Sequence, residues 1–237
     1  MNDMLLDIAR LDAFYGRAQI LFGMNLTVAR GEVVALMGRN GAGKSTTMKA
    51  LIGLTDRSSA YSRFRGCDIG RLDSYRIARL GLGFVPEDRR IFTDLTVEEN
   101  LEVGRQPPRD GLRSWTPARL YELFPNLAAK RGRRGGEMSG GEQQMLTIAR
   151  TLMGNPYLVL LDEPSEGVAP LIVEQLAKTI LELKREGLSI LLSEQNLPFA
   201  AKVGDRAYVM DGGHILHHAS MAELAADSTV QRAYLSM

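Results

Sequence analysis

Val33-Val34-Ala35-Leu36-Met37, followed by Gly38-Arg39-Asn40-Gly41-Ala42-Gly43-Lys44-Ser45-Thr46, decides the fold. Five apolar residues in a row read as a strand buried on both faces, the kind found in parallel sheets. The stretch from Ser45 to about Leu54 reads as a helix. Between them the spacing G-x-x-x-x-G-K-S lets the backbone wrap closely, so that its N–H groups converge on phosphate oxygens. The helix N-terminus adds partial positive charge. In this pattern Lys44 pairs with β- and γ-phosphates and the Ser45 hydroxyl ligates Mg²⁺. A plain glycine-rich turn carrying a lysine is the alternative, but the strand before it and the helix after it favour a nucleotide site spanning Gly38 to Thr46.

A second buried strand, Tyr157 to Leu161, ends in Asp162-Glu163. This puts two carboxylates at the carboxyl edge of the sheet, where α/β proteins bind ligands. Asp162 is the candidate Mg²⁺ ligand, and Glu163 the candidate general base for an attacking water. Ser189-Ile190-Leu191-Leu192 and Gly83-Phe84-Val85 read as further strands. Leu171 to Arg185 reads as a helix closed by Gly187, with Leu171, Ile172, Leu176, Ile180 and Leu183 at helical spacing and Glu174 four residues before Lys178. Strands alternating with helices indicate an α/β chain with a largely parallel sheet.

The texture changes from about residue 92 to 154. Thr96-Val97-Glu98-Glu99 is a capping-box pattern, Thr116-Pro117 an N-cap with proline in the first turn, and Ser139-Gly140-Gly141-Glu142 opens a third helix that Gly154-Asn155-Pro156 ends. These features predict a helical lobe inserted into the α/β core. After the turn at Met210-Asp211-Gly212-Gly213, a short strand and two small helices are expected.

Composition sets bounds. A chain of 237 residues with 45% hydrophobic and 24% charged residues can bury one sizeable core. A net charge of +1 argues against a general nucleic-acid binder. The single cysteine, Cys67, excludes an intramolecular disulfide, fits a reducing compartment and reads as a small packed or loop residue. Met1 to Arg10 lacks a signal-peptide pattern, and no apolar run approaches the ~20 residues of a membrane helix, so a cytoplasmic chain is expected.

Met138-Ser139-Gly140-Gly141-Glu142-Gln143-Gln144 on its own is an ordinary capped helix start, with two glycines leaving the N-terminus bare. Lying between the phosphate loop and the carboxylate strand, it resembles the signature motif of ATP-binding cassette (ABC) ATPases, and the resemblance covers essentially the whole chain. It implies a P-loop NTPase (RecA-like) core with an inserted helical lobe and small N-terminal β elements. One domain over 1–237 results, with core at about 1–91 and 155–237 and lobe at about 92–154. It further implies two such domains paired head to tail, each ATP held between one cradle and the partner's Ser139, Gly140, Gly141 and Glu142. Tyr15, in Phe14-Tyr15-Gly16, matches the family's adenine-stacking aromatic; taken alone, it would read as a half-buried core tyrosine.

Three positions depart from the common ABC pattern. Glu87 stands for the usual glutamine after Gly83-Phe84-Val85-Pro86, Ala169 for an aspartate, and Gln195 for a histidine. Glu87 can still ligate Mg²⁺ while adding negative charge near the γ-phosphate. Gln195 cannot take a proton, but it can orient water, as a glutamine does in GTPases. Glu163, Gln195, Glu87 and Lys44 are therefore the catalytic candidates, and Ser45, Glu87 and Asp162 the metal candidates.

Val85 to Phe92, Thr96 to Leu101, Met138 to Met145, Ser193-Glu194-Gln195-Asn196 and Ala233-Tyr234-Leu235 look like an ATP-binding subunit of branched-chain amino acid importers. That class implies two ATPase subunits, two membrane permeases and a periplasmic solute-binding protein, with the ATPase at the cytoplasmic face of the inner membrane. Urea and short-amide importers have similar subunits. A non-transport ABC ATPase would usually carry paired units or coiled-coil insertions, and a module holding ATP without turnover is the third alternative. Lys130-Arg131-Gly132-Arg133-Arg134 reads as a solvated basic loop or as an arginine contact to nucleotide or partner. By resemblance the loop Glu87 to Phe92 lines a permease groove, although Ile91 and Phe92 could equally pack internally. Trp115 and the lobe's methionines read as core. The stretch Asp56 to Gly66 differs from the one, carrying a proline and a glycine, that family members often have at this place, which points to an altered hairpin.

Overall fold

A computed structural model describes residues 4–235. Its elements in chain order are β1 (Met4–Tyr15), β2 (Ala18–Ala29), β3 (Val33–Met37), α1 (Lys44–Ile52), β4 (Asp56–Ser58), β5 (Tyr61–Phe64), β6 (Cys67–Asp68), α2 (Ser74–Leu80) and β7 (Leu82–Val85). There follow α3 (Val97–Val103), α4 (Pro117–Leu123), α5 (Pro125–Ala128), a 3₁₀ turn at Gly135–Glu137 and α6 (Gly140–Leu152). The chain then forms β8 (Leu158–Asp162), α7 (Pro170–Arg185), β9 (Ser189–Glu194), α8 (Leu197–Val203), β10 (Arg206–Asp211), β11 (His214–Ser220), α9 (Met221–Ala226), α10 (Ser228–Val230) and a π-helical turn at Gln231–Leu235.

The central sheet has the order β11-β10-β3-β9-β8-β7 and is parallel except for the β10–β11 hairpin. Its register fixes the chemistry. Met37 lies opposite Glu194 and Asp162 opposite Ser193, so the loops after β3, β8 and β9 leave one edge side by side. β3, β8 and β9 are buried along their whole length, as apolar runs covered on both faces must be. Alternation divides their side chains. Val34 and Leu36 pack with α1 and the N-terminal strands, Val33 and Leu161 with the helices of the middle region, and Ala35 and Met37 toward α8 and α9.

The N-terminal β elements are larger than expected. β1 and β2 run twelve residues each and, with β5 and β6, form an antiparallel sheet of order β2-β1-β5-β6, with β4 also on β1. Bulges explain why the alternation is hard to read. The β1–β2 register slips between Ile8 and Leu11, around Arg10 at φ +53°. Within Asp56 to Gly66, β4 and β5 lie end to end along β1, both antiparallel to it, and the hairpin joins β5 to β6 across Arg65-Gly66. Cys67 is exposed in β6.

The middle region is helical. Thr96 and Ser139 both make full capping boxes, and Thr116 caps α4 with Pro117 at its start. Its apolar residues Leu101, Leu120, Leu127 and Leu146 share one cluster with Val85, Val159 and Leu161 of the sheet, and Trp115, Met138, Met145 and Met153 are buried there as expected.

Three helix expectations are corrected. α1 begins at Lys44 and ends at Ile52, where Gly53 in the left-handed region turns the chain. In α7 Leu171 is 70% exposed; at about 100° per residue it falls off the stripe formed by Ile172, Leu176, Ile180 and Leu183. Glu174 pairs not with Lys178 but with Lys202 of α8, at 2.6 Å, because α8 packs beside α7 and offers a cation across the groove. Ala233-Tyr234-Leu235 falls in the closing π-helical turn.

Candidate active site

The cradle is built where β3 turns into α1. Gly38 permits a close backbone approach: a Cβ there would sit 2.5 Å from the Met210 carbonyl oxygen. Gly43, at φ +105°, sets the entry of α1, and a Cβ on it would press on Leu21 at 2.9 Å. Lys44 is buried, and its Nζ donates to the Gly38 carbonyl at 2.7 Å and the Arg39 carbonyl at 3.0 Å. The same Nζ lies 3.0 Å from Glu163 Oε1.

Asp162, at the end of β8, is almost wholly buried and accepts from Ser193 at 2.7 Å and Ser45 at 3.0 Å, both on Oδ1. Burial pushes its carboxyl above the usual range, the two hydroxyls pull against that, and the Glu163 charge adds to it. A buried carboxylate so placed is relieved by a cation. Ser45, whose Oγ bonds Asp162, lines one cavity with Glu87, and oxygens of this hard kind suit Mg²⁺.

Glu163 adopts φ +46°, a left-handed backbone that a non-glycine residue holds only when its surroundings enforce it. Here its N–H donates to both the carbonyl and the hydroxyl of Ser193, at 3.1 and 3.0 Å. The turn aims its carboxylate at the cradle, where Lys44 meets one oxygen and the Gln195 amide donates to the other at 3.0 Å. Gln195 also donates to Asn40 Oδ1 at 3.0 Å. Burial would raise the Glu163 carboxyl, but hydrogen bonds from Glu166, Lys44 and Gln195 and the Lys44 charge outweigh it, and the group stays below its ordinary value. Glu166 is the member of this pair that keeps a proton. Its bond to Glu163, then burial, then the charges of Glu163 and Glu87 push it up to about 7.

The structure gathers most of the sequence candidates around one open cavity of about 450 Å³. Tyr15, Asn40, Gly41, Gly43, Lys44, Ser45, Thr46, Glu87 and Glu163 line it. Tyr15 is about half exposed there rather than packed in the core. Arg39 and Gln195 border an adjoining cavity that shares Asn40, Glu163 and Glu166. Ser139, Gly140, Gly141 and Glu142 are not among these lining residues. Gly141 and Glu142 border a separate cleft with Ile172 and Leu127, and Lys130 of the basic loop is committed to Glu142. Ile91 packs against the lobe cluster, whereas Phe92 is exposed under Arg150.

Residues not singled out from sequence also enter the site. Ser193 and Glu194 follow the apolar run Ile190-Leu191-Leu192 and enter the sequence reading only as part of the importer-like stretch Ser193 to Asn196, with no role assigned. Glu166 has no role assigned there. Arg89, at φ +61°, brings its guanidinium against Gly140, where a Cβ would lie 2.8 Å from Nη1.

A phosphate loop at the head of a parallel sheet, a lysine meeting a strand-end glutamate, and a capped glycine pair on a second helix together define an ATP-binding cassette. The chain belongs to the ABC transporter family, whose pattern matches residues 21–166, and it is an ABC-type ATPase. It is 43% identical over 231 residues to BraG of Pseudomonas aeruginosa, a high-affinity branched-chain amino acid transport ATP-binding protein, covering 98% of this chain and 99% of that one. It is 35% identical to LptB of Escherichia coli, a lipopolysaccharide export system ATP-binding protein, over 94% and 93% of the two chains. Its fold matches the crystal structure of a nucleotide-free ATP-binding cassette from an ABC transporter with a TM-score of 0.82 and 26% identity, over 96% of this chain and 97% of that one. Among the described residues no helix is long and apolar enough to cross a membrane.

Proposed function

We propose that this chain powers a membrane importer of branched-chain amino acids by hydrolysing MgATP between two head-to-tail ATPase subunits. The observation that carries the catalytic part is Glu163, held as a carboxylate by Lys44 and Gln195 at the mouth of the phosphate cradle. In that state it can take a proton from water; Gln195, which cannot titrate, orients it. Lys44 turns from the loop carbonyls and Glu163 to the phosphates. Tyr15 offers its exposed ring to adenine, and the backbone from Gly38 to Thr46 receives the phosphate oxygens. Ser45, Asp162 and Glu87 would hold Mg²⁺, which when bound neutralises phosphate charge.

The capped end of α6 lies outside this cavity, so Ser139 to Glu142 must come from a second ATPase subunit, identical or homologous. Two permeases complete the machine at the cytoplasmic face of the membrane, supplied by a periplasmic binding protein, with core at about 1–91 and 155–237 and lobe at about 92–154. The solute reading is supported by Glu87 and Gln195 at the switch positions and by the likeness to BraG, which exceeds that to LptB. Urea and short amides are the competing solutes.

The test is ATPase activity of the chain reconstituted with its permeases and binding protein in liposomes. Leucine, isoleucine or valine should stimulate hydrolysis, and Glu163→Gln should reduce it about 10²- to 10⁴-fold while retaining ATP binding. Unchanged hydrolysis in Glu163→Gln sinks the catalytic assignment; stimulation by urea or amides alone sinks the solute assignment.

A further inference from the structure

Glu194 is the most deeply buried carboxylate that the proposed chemistry does not use, at 1% exposure. It stands at the last position of β9, opposite Met37 at the end of β3. Its Oε1 accepts the N–H of Ser165 at 3.1 Å; its Oε2 accepts the N–H groups of Gln195 at 3.2 Å and Asn196 at 3.1 Å. Burial pushes this carboxyl upward and the Glu163 charge adds to that, while the Ser165 side chain and the N–H groups of Asn196 and Ser165 pull it down. A carboxylate in such a place is costly unless its oxygens are well satisfied, and here backbone donors from two separate loops do so.

We propose that Glu194 is a positioning residue for hydrolysis: its carboxylate clips the loop Ser165-Glu166-Gly167 to the Gln195–Asn196 turn, so that Gln195 stays on Glu163 and Asn40. This rests on the reading of Glu163 as the base. Two loops meet in the clip. One follows Glu163 and carries Glu166; the other carries the amide that bridges Glu163 to the phosphate loop. Ser193, one residue earlier, binds Asp162 and the Glu163 backbone, so consecutive residues of one strand end hold the metal candidate, the base and the loop beyond it. A displacement of Ser165 is thereby felt at Gln195.

The chemistry of the clip makes it separable from simple packing. An amide has one acceptor oxygen. In Glu194→Gln that oxygen can face either Ser165 or the Gln195–Asn196 pair, and the NH₂ then opposes N–H donors on the other side. In Glu194→Asp the charge remains, and Asn196 is still within reach of the short local bond that aspartate makes two residues on, but the shorter stem withdraws from Ser165. A clip therefore fails in both variants, whereas a role for charge alone fails only in Glu194→Gln.

The experiment measures kcat, KM, fluorescent ATP-analogue affinity and backbone amide exchange for the full-length chain and both variants. Expected are unchanged nucleotide affinity, kcat reduced about ten- to a hundredfold in both, and faster exchange at residues 165–167. Wild-type kcat in Glu194→Asp, or in both variants, overturns the proposal. So does a kcat loss accompanied by an equal loss of nucleotide affinity, which marks general destabilisation. A wild-type chain whose hydrolysis is indifferent to Glu163→Gln would instead overturn the underlying assignment of the base.

Discussion

The carboxyl edge of the central sheet and the N-terminal end of α6 are both phosphate-facing elements by sequence, yet they are built in opposite ways. At the sheet edge, Lys44, Asp162, Glu163 and Glu194 are buried, and their charges are tied to one another and to backbone. At α6, Ser139 is exposed, and its hydroxyl and the Glu142 carboxylate are consumed in a capping box. The first region contains the buried ionisable groups; the second is a capped helix start with Arg89 and the Lys130–Glu142 pair at its side. Carboxylates outnumber the lysine in the cradle, which resists an unaccompanied triphosphate, whereas a helix end attracts one. On the proposed reading the two halves of the site come from different subunits, in keeping with their lining separate cavities within one chain.

The largest expected effect comes from breaking the two halves separately. Lys44→Ala should lower turnover about a hundred- to a thousandfold and weaken ATP binding. Ser139→Arg should abolish turnover to a similar extent while ATP binding to the cradle persists. Mixing the two inactive variants should restore part of the activity, because one of the two composite sites then joins an intact cradle to an intact α6. ATPase assays across mixing ratios check this. A mixture as inactive as its components would show that the halves do not meet between chains.

How much of this was legible follows the same division. The cradle and the Asp162-Glu163 strand end could be read because each is a contiguous run whose spacing is its chemistry. β1 and β2 were understated because bulges at Arg10 and Gly23 break the two-residue alternation that marks a strand. In β1 the buried residues fall at Leu5, Leu6, Ile8, Leu11 and Ala13, a pattern of no fixed period, and in β2 Leu21 is out of step with Met24, Leu26 and Val28. Glu194 and Ser193 were hidden for another reason: their partners, Ser165 and Asp162, lie about thirty residues away in sequence and become neighbours only through the β8–β9 register. The Glu174–Lys178 pairing failed on the same ground, since local spacing cannot anticipate a better-placed cation on the next helix.

A smaller effect sharpens the electrostatic side of the comparison. Glu166, pushed up to about 7 from the ordinary glutamate value of 4.5, binds a proton in the folded chain that the unfolded chain has already released. Between those values the native state holds the extra proton, so this group's contribution to stability is full at the acidic end and is lost as pH rises through about 7. Glu166→Gln supplies a permanent donor to Glu163 and removes that slope. Because Glu166 is solvent-exposed, the swing should be no more than about 1 kcal/mol. Urea unfolding of both proteins at several pH values measures it; identical slopes would mean that Glu163 and Glu166 do not share a proton.

The smallest effect separates capping from function. Thr96 and Ser139 make the same motif: Thr96 N–H reaches Glu99 at 2.8 Å and Ser139 N–H reaches Glu142 at 3.0 Å, with return bonds of 3.2 and 3.4 Å. Removing either hydroxyl with alanine should cost about 1 kcal/mol, visible as a lower denaturation midpoint. As caps they are equivalent. On the proposed reading they differ as parts of a nucleotide site, because α3 begins beside Arg133 and Arg134 whereas α6 begins with two glycines packed closely against Arg89 and Ile172. Thr96→Ala should therefore keep wild-type turnover, while Ser139→Ala lowers it for the same loss of stability. Equal turnover in the two variants would reduce Ser139 to a cap and leave the backbone of α6 alone to meet the phosphate.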